Sequence, residues 1–333
     1  MLLRELGPMI EGRSPLEYAE VADPEPAANE LLIRVTACAV CHTELDEIEG
    51  RTPPPNLPVI PGHQVVGTLM SGSLAGKRVG VAWINSACGT CVHCRAGNEN
   101  LCADFRATGR DADGGYAAYV KVRADFVHPI PDGLSDAEAA PLLCAGAVGY
   151  RALRLANLAD GATLGLYGFG ASNHLVLKTA RHTYAGSKIM VFSRNPAERS
   201  LAMDLGAAWA GAIEDDPPAK LDAAIDATPV WLPMLQALKH LAPGGRLVVN
   251  AIRKEEVDRL ELLKLDFVKH LWMEKEIKSV ANVARRDVRE FLELAARAGI
   301  RPEYEEYTLA DANRALLDIK QGRIRGAKVL RVV

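Results

Sequence analysis

Apolar residues in the first part of the chain, to about residue 140, come in short runs broken by Pro and Gly: "LLIRVTAC", "VVGTLM", "KRVGVAWI" and "GYAAYVKV". Runs this short, rich in Val and Ile and bounded by turn formers, predict strands rather than helices. The expectation is a mostly β domain with long loops. From about Pro141 the pattern changes. "ATLGLYGFG", "SKIMVFS", "LDAAIDAT" and "GGRLVVNA" are strand-like, while "NHLVLKTARHTYA" and "PAERSLAMDLG" read as helices between them. Alternating strands and helices predict a parallel sheet covered on both faces. The end of the chain adds a charged amphipathic helix near "RRDVREFLELAARAG", a short strand, another helix and a closing strand, "AKVLRVV". No internal repeat or low-complexity segment interrupts this order.

A chain of 333 residues is long enough for two domains with well-buried cores. Its 49% apolar and 24% charged residues are ordinary for a globular protein, and only 5% aromatics leave the cores to aliphatic and Ala packing. A net charge of −3 gives no general pull towards nucleic acid or an anionic membrane. No apolar run approaches the roughly 18 residues of a spanning helix. Arg and Glu within "MLLRELGPMIEGRSP" interrupt the apolar stretch that a signal peptide needs. These features predict a cytoplasmic protein with neither nucleic acid nor membrane as partner.

The 7 cysteines alter that bland picture because they are bunched: Cys38, Cys41, Cys88, Cys91, Cys94, Cys102 and Cys144. In a reducing compartment such bunching points to metal rather than to disulfides. Cys88, Cys91, Cys94 and Cys102 follow a C-x2-C-x2-C-x7-C spacing in a lobe over residues 86–104. Zn²⁺ takes about four tetrahedral ligands, and short spacings let one loop wrap it. Four thiolates leave no open position, so a zinc here would be structural. An iron–sulfur cluster uses the same ligands, and a lobe of free thiols would oxidise readily.

"LGLYGFGASNHLVL" sets Gly168-x-Gly170-x-x-Asn173 between an apolar strand and a helix. The first Gly permits a tight turn, the second lets the backbone approach a pyrophosphate, and the helix start favours its charge. The third place is normally Gly or Ala, so the bulkier Asn173 is expected to hold helix and strand slightly apart. The next strand ends at Ser193 and Arg194, with Arg199 one turn on, where an acidic residue would bind a ribose 2′-hydroxyl. Guanidinium groups suit a 2′-phosphate. NADP(H) is therefore expected over NAD(H), against the alternative of an ordinary solvated Arg.

"PGHQVVG" bends into a strand at His63. Alone, such a histidine is more often a satisfied core residue than a metal ligand. Taken in order, however, "CHTEL", "PGHQVVG", the cysteine lobe, "DADGGYAAYV", "APLLCAGAVGYRAL", "LGLYGFGAS" and "GAKVLRVV" run over essentially the whole chain. They resemble the zinc-dependent alcohol dehydrogenases of the medium-chain dehydrogenase/reductase superfamily. The resemblance implies an α/β protein with a GroES-like, mostly β catalytic domain over 1–143 and 282–333. A Rossmann, doubly wound parallel-sheet coenzyme domain would fill 144–281. It also implies two Zn²⁺ per chain, one catalytic and one structural, and a homo-oligomer, either tetramer or dimer.

Carried over residue by residue, the resemblance makes Cys41, His63 and Cys144 the ligands of the catalytic zinc. Two thiolates and an imidazole leave one position open for water or substrate. Zinc there would acidify a coordinated alcohol or polarise a carbonyl. Thr43 matches the hydroxyl that accepts the alcohol proton, and Asp46 stands where many relatives end the relay with a histidine. His42 matches a basic residue at the cofactor pyrophosphate. Glu44 replaces the Asp that usually bonds the zinc-binding His, and its extra methylene is expected to shift that contact. Gln64 replaces a Glu behind the zinc; the expectation is slower ligand exchange at a more Lewis-acidic metal. Trp83 falls either along the substrate channel or in the core. The family's C-terminal Arg falls at Ala327, with Arg325 and Lys328 as stand-ins, and Cys38 reads as a core thiol.

The reaction implied is hydride transfer between NADP(H) and a primary or secondary alcohol or the matching aldehyde or ketone. A member with weakened catalysis is the alternative, because Glu44, Asp46 and Gln64 all depart from the pattern in one site. A zinc-independent reductase on the same fold fits poorly, since it would lack the lobe and the Cys41, His63, Cys144 set.

Overall fold

The computed structural model describes residues 1–70, 72, 75–322 and 326–332. The chain divides into two compact units, Met1–Ala147 with Val283–Val333, and Val148–Asn282. These junctions compare with the expected 143/144 and 281/282; the turn that carries Cys144 belongs to the first unit.

The first unit is organised around the strand Glu30–Val40. Residues Ile33 to Ala39 of this strand pair antiparallel with Gln64–Leu69, which sets Ala39 opposite Gln64. On its other edge, Tyr119–Arg123 pairs with its first half and Ala327–Arg331 with its second. Arg78–Val81 and Val127–Pro129 continue the sheet on one side, and Tyr304–Thr308 closes it on the other. Ile33 and Val35 point inward with Arg34 exposed between them, the alternation of a half-buried strand. From Ala37 to Val40 both faces are buried, just before the chain reaches Cys41. Ile33, Val35, Val65, Leu69, Val81 and Val122 form the centre of the core. Each such side chain contributes about 1.5–3 kcal/mol by leaving water.

Two expected strands are shorter or broken, for local reasons. "KRVGVAWI" yields Arg78–Val81, then Ile84–Ser86, which pairs instead with Arg106–Ala107. The chain changes sheets at Ala82 and Trp83. "GYAAYVKV" becomes strand only from Tyr119, because Gly114, Gly115 and Tyr116 spend their backbone N–H groups on the carbonyls of Ile60, Gly62 and Pro61.

The second unit is a six-stranded sheet in which every pairing is parallel. Its spatial order is Trp209–Gly211, Lys188–Phe192, Thr163–Tyr167, Leu221–Asp226, Leu241–Val249, Glu276–Ser279. The chain therefore winds outward from Thr163–Tyr167 in one direction and then, from Leu221–Asp226, in the other. This is the doubly wound order, and a crevice opens where the direction reverses, beyond the carboxyl ends of those two strands. Helices Asn173–Thr183, Pro196–Asp204 and Leu232–His240 connect the strands. At the carboxyl end of Leu221–Asp226 the buried Asp226 meets Lys254 Nζ at 2.6 Å. Lys254 also donates to the Thr228 and Val230 carbonyls. Burial raises the Asp226 pKa while Lys254 opposes that shift. The pair anchors the segment after Leu241–Val249, since losing one partner would strand a buried charge at about 3–5 kcal/mol. Among the described residues no helix is long and apolar enough to cross a membrane.

Candidate active site

Cys41 follows the strand Glu30–Val40 and caps the helix His42–Ile48. Its Sγ accepts from Thr43 N at 3.3 Å, and its own N–H donates to Glu44 Oε2 at 2.9 Å. This is a capping box with a thiol in place of the usual hydroxyl. The other Glu44 oxygen, Oε1, lies 2.6 Å from His63 Nδ1. One carboxylate thus holds the backbone of Cys41 and the ring of His63 together. The extra methylene is taken up by the reach back along the first helical turn. Nδ1 faces Glu44 without a well-aligned hydrogen bond, and on the other side of the ring Nε2 lies 3.7 Å from Cys41 Sγ. That is the ring orientation a metal-binding imidazole needs.

The turn that delivers His63 depends on Gly62, whose φ is +100°. A Cβ there would lie 2.4 Å from the Tyr116 ring. "PGH" and "DGGY" are therefore two halves of one backbone clasp. Cys144 arrives from a long-range element, the π-helical turn Leu142–Gly146 between helices Asp136–Pro141 and Ala147–Ala156. Pro141, which brings no N–H, opens the helical ladder just before it. The ligand atoms of Cys41, His63 and Cys144 all lie within 4.8 Å of one another. A hydrogen bond shared with Cys144, and then burial, push the Cys41 thiol well up. Burial pulls His63 down, but the charges of Glu44 and Cys41 outweigh it and hold the ring well above the imidazole range. Such a set fits a divalent cation, which would supply the positive charge that two thiolates lack.

Around this cluster the expected residues take different places. Thr43 is half-buried, and Asp46, one turn further on, is buried with Oδ1 2.5 Å from Arg51 Nε. His42 is exposed at the helix start. Gln64 is buried, with Nε2 lacking a hydrogen-bond partner. Trp83 is buried in the core cluster with its ring 5.1 Å from Phe105. Cys38 is fully buried. Sequence reasoning missed Glu47, a buried carboxyl three residues after Glu44 on the same helix face. Burial, and then the Glu44 charge, push its pKa well above the carboxylate range, and the Trp83 indole faces it without a well-aligned hydrogen bond. The signal for it was an acid repeated at helical spacing in "HTELDEI".

In the lobe, Cys88, Cys91, Cys94 and Cys102 also bring their sulfurs within 4.8 Å of one another. Cys91 caps the short helix Val92–Arg95, and the N–H groups of Cys91 and Cys94 donate to Cys88 Sγ and Cys91 Sγ. Backbone donors from Thr90 and Cys91 lower Cys88 to about 6, while burial and neighbouring sulfurs raise Cys94 to about 12. Four sulfurs this close suit a zinc ion, whose charge would balance thiolates around it. None of the seven cysteines is in a disulfide.

At the dinucleotide turn Gly168 has φ +75°, and a Cβ would meet Thr228 at 2.8 Å. Asn173 opens the helix fully buried, and its Nδ2 donates to the Tyr167 and Gly168 carbonyls at 3.0 and 2.8 Å. The amide braces the turn. Past the next strand, Ser193 is buried and its hydroxyl donates to Glu198 Oε2 at 2.5 Å. Arg199 donates to the Ser193 carbonyl at 2.7 Å. Arg194 is exposed, with no ion pair among the described residues. Glu198 is the second residue sequence reasoning missed, hidden as an ordinary first-turn acid of its helix. Lys328 is committed to Glu305 and to the Tyr307 ring, Ala327 is buried, and Arg325 lies outside the described residues.

Residues 27–132 match the alcohol dehydrogenase GroES-like domain family. Over 98% of its length the chain is 44% identical to a "Probable alcohol dehydrogenase AdhA" of Mycobacterium tuberculosis, covering 95% of that protein. It is 33% identical to an alcohol dehydrogenase of Geobacillus stearothermophilus, over 97% of each chain. A solved cinnamyl alcohol dehydrogenase from Sorghum bicolor superposes with a TM-score of 0.84 at 26% identity, over 99% of this chain and 97% of that one. Fold and site together define an oxidoreductase of the alcohol dehydrogenase type, with a GroES-like domain and a Rossmann domain. More particularly, the chain belongs to the zinc-dependent alcohol dehydrogenase family of the medium-chain dehydrogenase/reductase superfamily.

Removing the Glu44 carboxylate leaves the Cys41 N–H without its acceptor and His63 Nδ1 without its charged neighbour. Glu44→Ala is expected to weaken zinc at Cys41, His63 and Cys144 by about 10–100-fold, read by chelator competition on zinc-loaded protein. Retention equal to the parent would make Glu44 a helix cap and nothing more.

Proposed function

We propose that this protein interconverts alcohols and aldehydes or ketones with NADP(H), using one zinc at Cys41, His63 and Cys144 and a second in the cysteine lobe. The observation that carries this reading is the convergence of three ligand atoms from separate elements around an imidazole already oriented by Glu44. Zinc held by these three residues would supply a Lewis acid for the substrate oxygen, and a nicotinamide cofactor would supply the hydride chemistry. The chain's own work is positioning and proton handling. Thr43 Oγ1 takes the alcohol proton, and since a hydroxyl is a weak base the proton must pass on. Asp46 is one turn away on the same helix, paired with Arg51. His42 is a donor for the pyrophosphate. Gln64, with a spare amide N–H pair, leaves the site less negative than a carboxylate would. Trp83 favours apolar substrates where its ring edge reaches them. The cytoplasmic expectation rests on the sequence alone.

Cofactor choice has two readings, each with an observation behind it. The free guanidinium of Arg194, with no acid at the strand end itself, favours a 2′-phosphate. The Glu198 carboxylate against Ser193 favours NAD(H), because a ribose hydroxyl can donate to it and a phosphate is repelled by it. Arg194 and Arg199 together outnumber Glu198, so NADP(H) is the reading adopted. For assembly, the outer strand Glu276–Ser279 is exposed along its whole length, and exposed Phe267, Val268 and Trp272 precede it. Unpaired edges flanked by apolar side chains invite a second copy, which supports a homo-oligomer.

An alcohol and carbonyl panel with NADPH and NADH on protein of measured zinc content tests the first proposal. NADPH is expected to be better by at least about tenfold, a 1.4 kcal/mol difference, and Arg194→Ala should erase most of it. A tenfold preference for NADH would overturn the reading of Ser193 and Arg194. In the same assay Gln64→Glu is expected to change turnover, and unchanged turnover removes Gln64 from the mechanism. Light scattering should give a dimer or tetramer that Trp272→Asp weakens; a monomer at all concentrations contradicts the assembly.

A further inference from the structure

A cavity of about 320 Å³ opens in the first unit between the cysteine lobe and the start of the helix Arg285–Ala298. None of its walls has a part in the reaction described above. Arg285, Arg286 and Arg289 line it from the helix, at spacings that set them on one side. Three like charges so placed destabilise a helix unless something answers them. Arg285 is answered. Its N and Nε donate to the buried Glu99 at 2.7 and 2.8 Å, it reaches Asp125 at 3.4 Å, and it lies over the Phe126 ring. Asp125 is in turn paired with Arg123 at 2.9 Å. Both carboxylates of the wall are thereby used.

The remaining donors are not matched. Arg286 has one bond, to the neutral Asn98 Oδ1 at 3.0 Å, and its Nε is buried with no partner. Arg289 is exposed, and among the described residues no carboxylate pairs with it. From the facing strand, His128 lines the cavity at 6% exposure, with no hydrogen-bond partner among the described residues. Burial, followed by the charges of Arg289 and Arg285, lowers it to about 4 against the pull of Glu99. It is therefore a neutral imidazole with an N–H to give.

We propose that this cavity binds a phosphate group, free or carried as a small monoester. A phosphate brings several acceptor oxygens and close to two negative charges, enough for two guanidinium forks and an imidazole N–H. The positive end of the helix adds to the attraction. The volume is at the low end for small-molecule sites and too small for a macromolecule. Bound phosphate would tie the lobe, through Asn98 and Glu99, to the helix Arg285–Ala298. The site is built within the first unit alone, and the inference does not depend on the proposed zinc or cofactor.

The test is calorimetric titration of the full-length protein with inorganic phosphate and with glycerol 2-phosphate, at ionic strength fixed with chloride. Saturable binding of one anion per chain is expected, weakened at least about tenfold by Arg289→Gln and unchanged by Arg314→Gln, an exposed control elsewhere. Tighter binding of one titrant identifies the free anion or the ester as the better ligand. Phosphate should also shift the His128 imidazole resonances in NMR. No saturation by ~10 mM phosphate, beyond any useful affinity, overturns the proposal. So does equal binding by the parent and Arg289→Gln.

Discussion

The Glu44 carboxylate is wholly buried, and a carboxylate is expensive to bury unless its oxygens are met by N–H groups. Oε2 accepts from the backbone of Cys41, and Oε1 lies 2.6 Å from Nδ1 of His63 in a close charge contact without a well-aligned hydrogen bond. That condition reaches far into the fold. The helix His42–Ile48 must start where it does for Glu44 to reach back. Glu30–Val40 and Gln64–Leu69 must pair with Ala39 opposite Gln64 to bring the helix start beside the His63 turn. The turn must be clasped by Gly114–Tyr116, which shortens the strand that follows. Slip the register by one residue and every side chain of the strand changes face.

Three acids on this one short helix show how environment divides a single chemistry. Glu44 is held ionised by His63 and the Cys41 N–H, even though burial acts against it. Asp46 meets a guanidinium that reaches solvent. Glu47 has neither, and burial beside Glu44 drives it towards the protonated form. A further carboxylate at position 64 would add repulsion to a site already crowded with acids. The neutral Gln64 is consistent with that balance.

What the sequence made legible follows the range of the interactions involved. Strand–helix alternation after Pro141 is a local pattern, and it led to the right parallel sheet. The lobe cysteines are close in the chain, so their spacing alone pointed to a tetrahedral site. Cys144 is different: its place depends on a π-helical turn that no local pattern announces, and only the family resemblance indicated it. Asn173 was expected to hold strand and helix slightly apart; what no local pattern announced is that its amide bonds two turn carbonyls. Glu47 and Glu198 were not singled out, because the burial of the one and the Ser193 contact of the other are set only in the folded chain.

The central claim is that a mixed sulfur–imidazole metal site is organised by Glu44, alongside an all-sulfur site in the lobe. Zinc X-ray absorption on protein loaded to two zinc per chain tests it directly. The account predicts sulfur at about 2.3 Å together with imidazole scattering from nitrogen at about 2.0–2.1 Å, the latter lost when the lobe alone retains zinc. A spectrum with sulfur only at full loading would contradict it.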